Sequence, residues 1–309
     1  MLNTLTKITP QILKEIRGLK ALRKTHELFL LFSMGSQFDH LIKQKLDALG
    51  VFCLVADPAT VTAKDVKKVA PVGIILSGGP ASAYELPPFD GKIFDLGIPV
   101  LGICLGFQMW AYHIGVPVVP SDKREFGTHR FSLSLSPSGG DVPSKARDRE
   151  GFKLFDSLPN NFNVLESHGD RIEPDKKMDI IGTTENAPAA AAVYKNLWGV
   201  QFHPEVTETE FGTKILENFC FGICKAKDTF PASEVAKRKI EELRSKIGNS
   251  DASVGAGKKV LLALSGGTDS SVVAYLLKAA LSTHPSPLTP LFSEFTLKAL
   301  TAPTTKPMF

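Results

Sequence analysis

The first strong apolar run of the chain, L-F-L-L-F from Leu28, is followed by a turn over 33–37. A helical pattern over 38–49 comes next and stops at Gly50, a residue suited to the left-handed position after a helix. The unit recurs. Apolar strands are predicted over 51–56, 72–76 and 99–103, with a helix over 62–69, each bounded by Gly or Pro. Short apolar strands alternating with helices define an α/β class: a mostly parallel sheet with helices on both faces. In that architecture ligand chemistry belongs at the carboxyl ends of the strands.

Between 125 and 205 the runs become shorter and more polar: R-F-S-L-S-L, N-V-L-E-S, D-I-I-G-T-T and A-A-A-A-V-Y. They predict an added antiparallel layer. The tract over 136–150 is dense in turn formers and charge and is expected to be a mobile insertion. A helix over 211–223 closes the domain. A charged helix follows over 233–247, with Val235, Ile240, Leu243 and Ile247 as its apolar positions, and 248–258 has linker composition. The expected organisation is an extension over 1–27, a first domain over 28–225, a helix and linker over 226–258, and a partial α/β nucleotide-binding unit over 259–309.

Composition narrows the function classes. A chain of 309 residues, 43% hydrophobic and 22% charged, has material for about two folded domains. Its formal charge of +4 is small and dispersed, so no nucleic-acid footprint is expected. No apolar stretch is long enough to span a membrane. The four cysteines, Cys53, Cys104, Cys220 and Cys224, follow no disulfide or zinc spacing, which fits a reducing compartment and predicts no metal site. The first two dozen positions carry six basic residues from Lys7 to Lys24 against Glu15 alone, a pattern open to two readings, an organelle transit peptide or a solvated extension. A cytoplasmic location is the default expectation.

Cys104 lies in I-P-V-L-G-I-C-L-G-F-Q, at the corner where an apolar strand passes into a helix between Gly102 and Gly106. Glycines on both sides permit a sharp turn that presents one side chain at its tip. The helix N-terminus there favours a thiolate. A cysteine at a strand end is as a rule a packing group, and the segment W-G-V-Q-F-H-P-E-V changes that balance. His203 follows a strand, and Glu205 stands two residues on with Pro204 between them. A thiol, an imidazole to carry its proton and a carboxylate to orient the imidazole are the parts of acyl transfer. Gly78 and Gly79 in I-I-L-S-G-G-P follow another strand, and the Gly79 amide, with that of Leu105, is a candidate oxyanion hole.

G-S-Q at Gly35, L-S-G-G-P at Leu76, G-I-C-L-G-F-Q at Gly102, S-H-G-D at Ser167 and V-Q-F-H-P-E-V at Val200 occur in the order found in class I glutamine amidotransferases, and the chain resembles that family. S-H-G-D and the ending E-V-T-E-T resemble its GMP synthase branch. The resemblance implies Cys104, His203 and Glu205 as the triad, with Gly78, Gln108, Ser167, His168 and Asp170 bordering bound glutamine. Two departures stand out: Ser33-Met34 where relatives have Asp before the aromatic residue, and Phe107 where His or Met is common.

After the linker, K-K-V-L-L-A-L-S-G-G-T-D-S-S reads as strand, glycine turn and helix, an anion site in which Ser265, Gly266, Gly267, Thr268, Asp269, Ser270 and Ser271 would face phosphate. It is not a Walker A loop, since no Gly-Lys-Ser/Thr follows. S-G-G-x-D-S resembles the loop of ATP pyrophosphatases, which implies ATP with Mg and, for GMP synthases, XMP as acceptor of ammonia. Past Leu281 the motif resemblance ends in a proline-rich tail, so a truncated synthetase is expected, with a homodimer only if the missing part is present. Two other readings stay open: a glutaminase serving another acceptor, and a non-catalytic nucleotide-binding or interaction module.

Overall fold

The computed structural model describes residues 27–134 except 86, 150–227, 230, and in the remainder 236–237, 239–241, 243–244, 262 and 268–281. The N-terminal extension, the insertion over 136–149 and the linker therefore lie outside the described residues. Two compact units divide the chain, Met1–Ala232 and Ser233–Phe309.

In the first unit, β1 (Leu28–Phe32) leads through α1 (Asp39–Ala48) to β2 (Phe52–Ala56), and α2 (Ala63–Val69) leads to β3 (Gly73–Leu76). Thr62 starts α2 with a capping box, its side chain accepting from the Asp65 amide while the Asp65 carboxylate accepts from the Thr62 amide. Then come β4 (Val100–Ile103) and α3 (Leu105–His113). Strands β5 (Val118–Leu133), β6 (Asn161–Ile172), β7 (Asp179–Thr183), β8 (Ala191–Tyr194) and β9 (Leu197–Val200) precede the closing α4 (Gly212–Glu217), which continues as a π-helical turn over Asn218–Ile223.

All nine strands form one sheet in the order β2-β1-β3-β4-β9-β8-β7-β5-β6. The five from β2 to β9 are parallel neighbours, and β8, β7, β5 and β6 continue the sheet antiparallel. The antiparallel strands are thus a lateral extension, not a separate layer. β1 to β4 and β9 are buried along their whole length, as expected for strands covered on both faces.

Phe131 on β5 anchors the extension. Its ring centroid lies 5.3 Å from that of Phe155, 5.0 Å from Phe162 and 5.1 Å from Phe202, the residue before His203. No side chain fits at Gly182 beneath it, where a Cβ would lie 2.1 Å from the Phe131 ring. Phe131→Ala is expected to cost about 3–5 kcal/mol by opening a cavity at this junction. Thermal unfolding of the variant measures the loss, and an unchanged midpoint would contradict the packing described.

In the second unit, the described residues of the charged helix, 236–237, 239–241 and 243–244, are helical. α5 (Thr268–Leu281) begins at Thr268, directly after the two glycines of the expected phosphate loop. Arg244 donates to the carbonyls of Ala279 and Ala280 at the end of α5, where carbonyls lack helical partners. Ser265, Gly266 and Gly267 lie outside the described residues.

Candidate active site

Cys104 joins β4 to α3 in a conformation that side chains rarely adopt, φ 51° and ψ −107°. The surrounding contacts hold it there. Its amide donates to the Val200 carbonyl of β9 at 2.8 Å, and its own carbonyl accepts from the Phe107 and Gln108 amides of α3 at 3.1 Å each. A Cβ at Gly102 would lie 2.5 Å from the Phe107 nitrogen, and one at Gly106 would lie 2.5 Å from the Leu76 carbonyl oxygen. Both glycines are therefore required by close backbone approach. Strain of this kind, fixed by packing, is typical of functional corners.

His203 reaches the same place from the end of β9. Its Nδ1 is 2.8 Å from Glu205 Oε1, which leaves Nε2 for the Cys104 thiol, within hydrogen-bonding reach. Burial works against the imidazolium, but the bonds to Cys104 and Glu205 outweigh it and hold the His203 pKa well above its ordinary value. The backbone is pinned as well: the His203 amide donates to Leu165 of β6 at 3.0 Å, and the Thr209 hydroxyl donates to the His203 carbonyl at 2.6 Å. Lys45 of α1 donates to the Pro204 carbonyl at 3.1 Å, and its pKa is lowered by burial against an opposing pull from Glu205.

Gly78 stands where the Cys104 and His203 side chains meet. A Cβ there would lie 3.0 Å from His203 Cε1 and 3.5 Å from Cys104 Cβ. Gly79 packs under Leu105, and a Cβ on it would lie 2.5 Å from the Met34 carbonyl oxygen. Among the described residues the amides of Gly79 and Leu105 have no hydrogen-bond acceptor. Met34, one of the two departures, is bound through its amide to the Ser77 hydroxyl at 2.9 Å, while Ser33 bonds to Asp39. The other departure, Phe107, packs its ring against Gly199 of β9, where no Cβ could fit.

The expected glutamine-bordering residues occupy varied positions. The Ser167 carbonyl accepts from the Cys104 thiol at 3.8 Å. Gln108 is buried, its amide donating to the Asp170 carbonyl at 3.1 Å and to Gln201 Oε1 at 3.2 Å. The Asp170 carboxylate accepts from Ser82 at 2.6 Å and from Tyr84 at 3.4 Å, tying the turn over Ala83–Glu85 to β6. His168 turns its ring toward two buried carboxylates, Glu125 and Glu166. Sequence reading missed Gln201, whose amide donates to Cys104 Sγ at 3.5 Å. It sits inside the V-Q-F-H-P-E-V motif, two residues before the histidine and just past the end of β9, and its approach to Cys104 comes from the pairing of β9 with β4.

The other cysteines differ in kind. Burial pushes the thiols of Cys220 and Cys224 up, so they remain protonated packing groups.

A nucleophile elbow on a parallel sheet, facing a His–Glu pair on the neighbouring strand, is the arrangement of an acyl-transfer site. The family model for glutamine amidotransferase class-I matches residues 30–223, and the chain belongs to that family. Relatives that match over most of this chain are named as glutamine-hydrolysing GMP synthases. Those of Lactococcus lactis subsp. cremoris and Bacillus subtilis are 39% and 37% identical to it over 262 and 261 residues, 83% of this chain in both cases and 46% of each relative. The chain thus spans about half the length of these relatives. A crystal structure from Thermoplasma acidophilum, assigned as one of the subunits of a GMP synthase, matches with a TM-score of 0.54 and 26% identity, covering 70% of this chain and 98% of that one. A second family model, NAD synthase, matches residues 237–303, which carries similarity beyond Leu281, where the motifs stop. Among the described residues no helix is long and apolar enough to cross a membrane.

Proposed function

We propose that the first unit hydrolyses glutamine to glutamate and ammonia, and that the ammonia serves ATP-dependent amination of XMP to GMP. The carrying observation is the convergence of Cys104, His203 and Glu205 at the carboxyl edge of the parallel strands. Cys104 gives its thiol proton to His203 Nε2 before the attack, and the thiolate Sγ, paired with the imidazolium, attacks the side-chain carbonyl carbon of glutamine. Negative charge that collects on the carbonyl oxygen meets the Gly79 and Leu105 amides, which hold no other acceptor among the described residues. His203 returns the proton to the departing nitrogen, ammonia leaves, and a glutamyl thioester remains on Cys104. Water activated by the same imidazole then releases glutamate and the free thiol. Glu205 keeps the ring oriented throughout. Gly78, Gln108, Ser167, His168 and Asp170 are the proposed walls of the glutamine site, Gln108 through Gln201 and His168 through the strand it holds.

The synthetase assignment is supported by the order of the two family matches and by a helix beginning at Thr268 after Ser265, Gly266 and Gly267. In this reading ATP with Mg meets that loop, together with Asp269, Ser270 and Ser271, and XMP is the acceptor. Cytosolic location belongs to the same proposal, and so does a homodimer, but only where the missing synthetase part is present. Ammonia release from glutamine, measured with and without a separately supplied XMP-aminating synthetase, tests both halves. Release of ammonia by this chain, with GMP formed when the synthetase, XMP and ATP are present, is the expected result. Absence of ammonia would remove the enzyme reading. Ammonia that no XMP-aminating synthetase can use would leave a glutaminase for another acceptor.

A further inference from the structure

We propose that Glu125, Glu166 and His168 form a binding site for one divalent cation of the zinc class, clamped between β5 and β6. Strand pairing brings the three together: Glu125 lies opposite His168, and Glu166 lies opposite Gly127, which has no side chain to fill the space. Glu166 and His168 are two apart on β6 and so share a face.

The ring of His168 has its tautomer fixed. Its Nδ1 is 2.8 Å from the Asp170 carbonyl oxygen, which can only accept, so Nδ1 carries the hydrogen. In the neutral ring Nε2 then presents a lone pair, and it faces Glu125 Oε2 at 3.2 Å and Glu166 Oε2 at 3.3 Å. With the ring neutral, three acceptors converge on one point that a cation would fill, in place of the proton on Nε2 that otherwise bonds Glu125. Around a tetrahedral ion with bonds of about 2.0–2.1 Å, donor atoms stand roughly 3.3 Å apart. The observed spacing already matches.

The surroundings are those of a metal centre. Glu125 is held from outside by Thr184 Oγ1 at 2.8 Å, by the Asn186 amide at 3.1 Å and by the Asn186 side chain at 3.3 Å, and His129 Nδ1 lies 3.4 Å from its other oxygen. Together with the His168 bond to Asp170, these contacts orient the ligands as outer-shell partners do. Glu166 supplies the independent sign. Its side chain is 0% exposed, and neither oxygen has a hydrogen-bond partner. A buried carboxylate in that state calls for a counter-charge. Two carboxylates and a neutral imidazole are balanced by a divalent ion. Two carboxylate oxygens and one imidazole nitrogen are a donor set that suits Zn2+.

The test uses the full chain stripped of metal with a chelator. Zn2+ is titrated by calorimetry and Co2+ by visible absorption, on the wild type and on the Cys104→Ala, Glu166→Gln and Glu166→Met variants. One equivalent should bind the wild type, with the intense bands of a low-symmetry cobalt site and no sulfur-to-cobalt charge-transfer band. Cys104→Ala should leave this unchanged, and both Glu166 variants should weaken binding at least about 100-fold. Glu166→Met puts an apolar side chain of similar size in place of a buried carboxyl group without a hydrogen-bond partner, so its metal-free melting temperature should not fall, which separates lost binding from lost folding. No stoichiometric binding by the wild type would show that protons alone occupy the cluster. Binding that is lost in Cys104→Ala but kept in Glu166→Met would place the ion at the Cys104–His203 pair. Either result overturns the proposal.

Discussion

Cys104→Ala is expected to reduce ammonia release from glutamine by at least about 10⁴-fold, because no other group in the site can form the thioester. The substitution takes away one sulfur atom from a corner otherwise held by backbone bonds to Val200, Phe107 and Gln108, so the fold should persist. Circular dichroism and the thermal midpoint check that point. An electrophilic glutamine analogue should label the wild type once, at Cys104. Cys220 and Cys224 are kept protonated by burial and should be spared. Near-normal turnover by the variant would end the assignment of Cys104 as nucleophile.

Glu205→Gln should lower kcat by about 10²–10⁴-fold with little change in KM, since the carboxylate orients and charges the base without lying against the substrate. The sign of the accompanying pH effect follows from the balance at His203. Burial pulls its pKa down, and Cys104 and Glu205 together lift it well above the ordinary value. Removing the Glu205 charge deletes part of the upward pull, so the imidazolium loses its proton at lower pH. The alkaline limb of the kcat/KM profile should therefore move toward acid. Steady-state rates across pH read it directly, and a profile that keeps its alkaline limb would contradict a Glu205-supported imidazolium.

The parallel half of the sheet was legible because strands buried on both faces leave almost uninterrupted apolar runs, as in L-F-L-L-F. The boundaries read from Gly and Pro fall within one residue of β2, β3 and β4. β5 was seen only at its end. Its first half, V-V-P-S-D-K-R-E-F-G-T-H, has a solvent-facing side and an irregularity between Pro120 and Glu125, so no regular alternation marks it. Nor does local pattern say which edge a strand joins, and the extension was therefore read as a second layer. For the site, the motif spacings pointed to Cys104, His203 and Glu205, whose partners lie two residues apart or across adjacent strands. Gln201 and the turning of His168 toward Glu125 and Glu166 depend on cross-strand register, which only the fold supplies.

The elbow and the histidine turn leave the ends of β4 and β9, which are hydrogen-bonded neighbours in the middle of a nine-stranded sheet. Adjacent paired strands thus bring the two turns that carry Cys104 and His203 side by side, and the bonds of His203 to Leu165 and Thr209 hold it there. On the proposed glutaminase reading, the parts of the site held by fewer bonds are those left to adjust the rate. These are the Gly78–Gly79 turn that offers the oxyanion amide, and the turn over Ala83–Glu85, fastened to β6 through the Asp170 carboxylate by Ser82 and Tyr84.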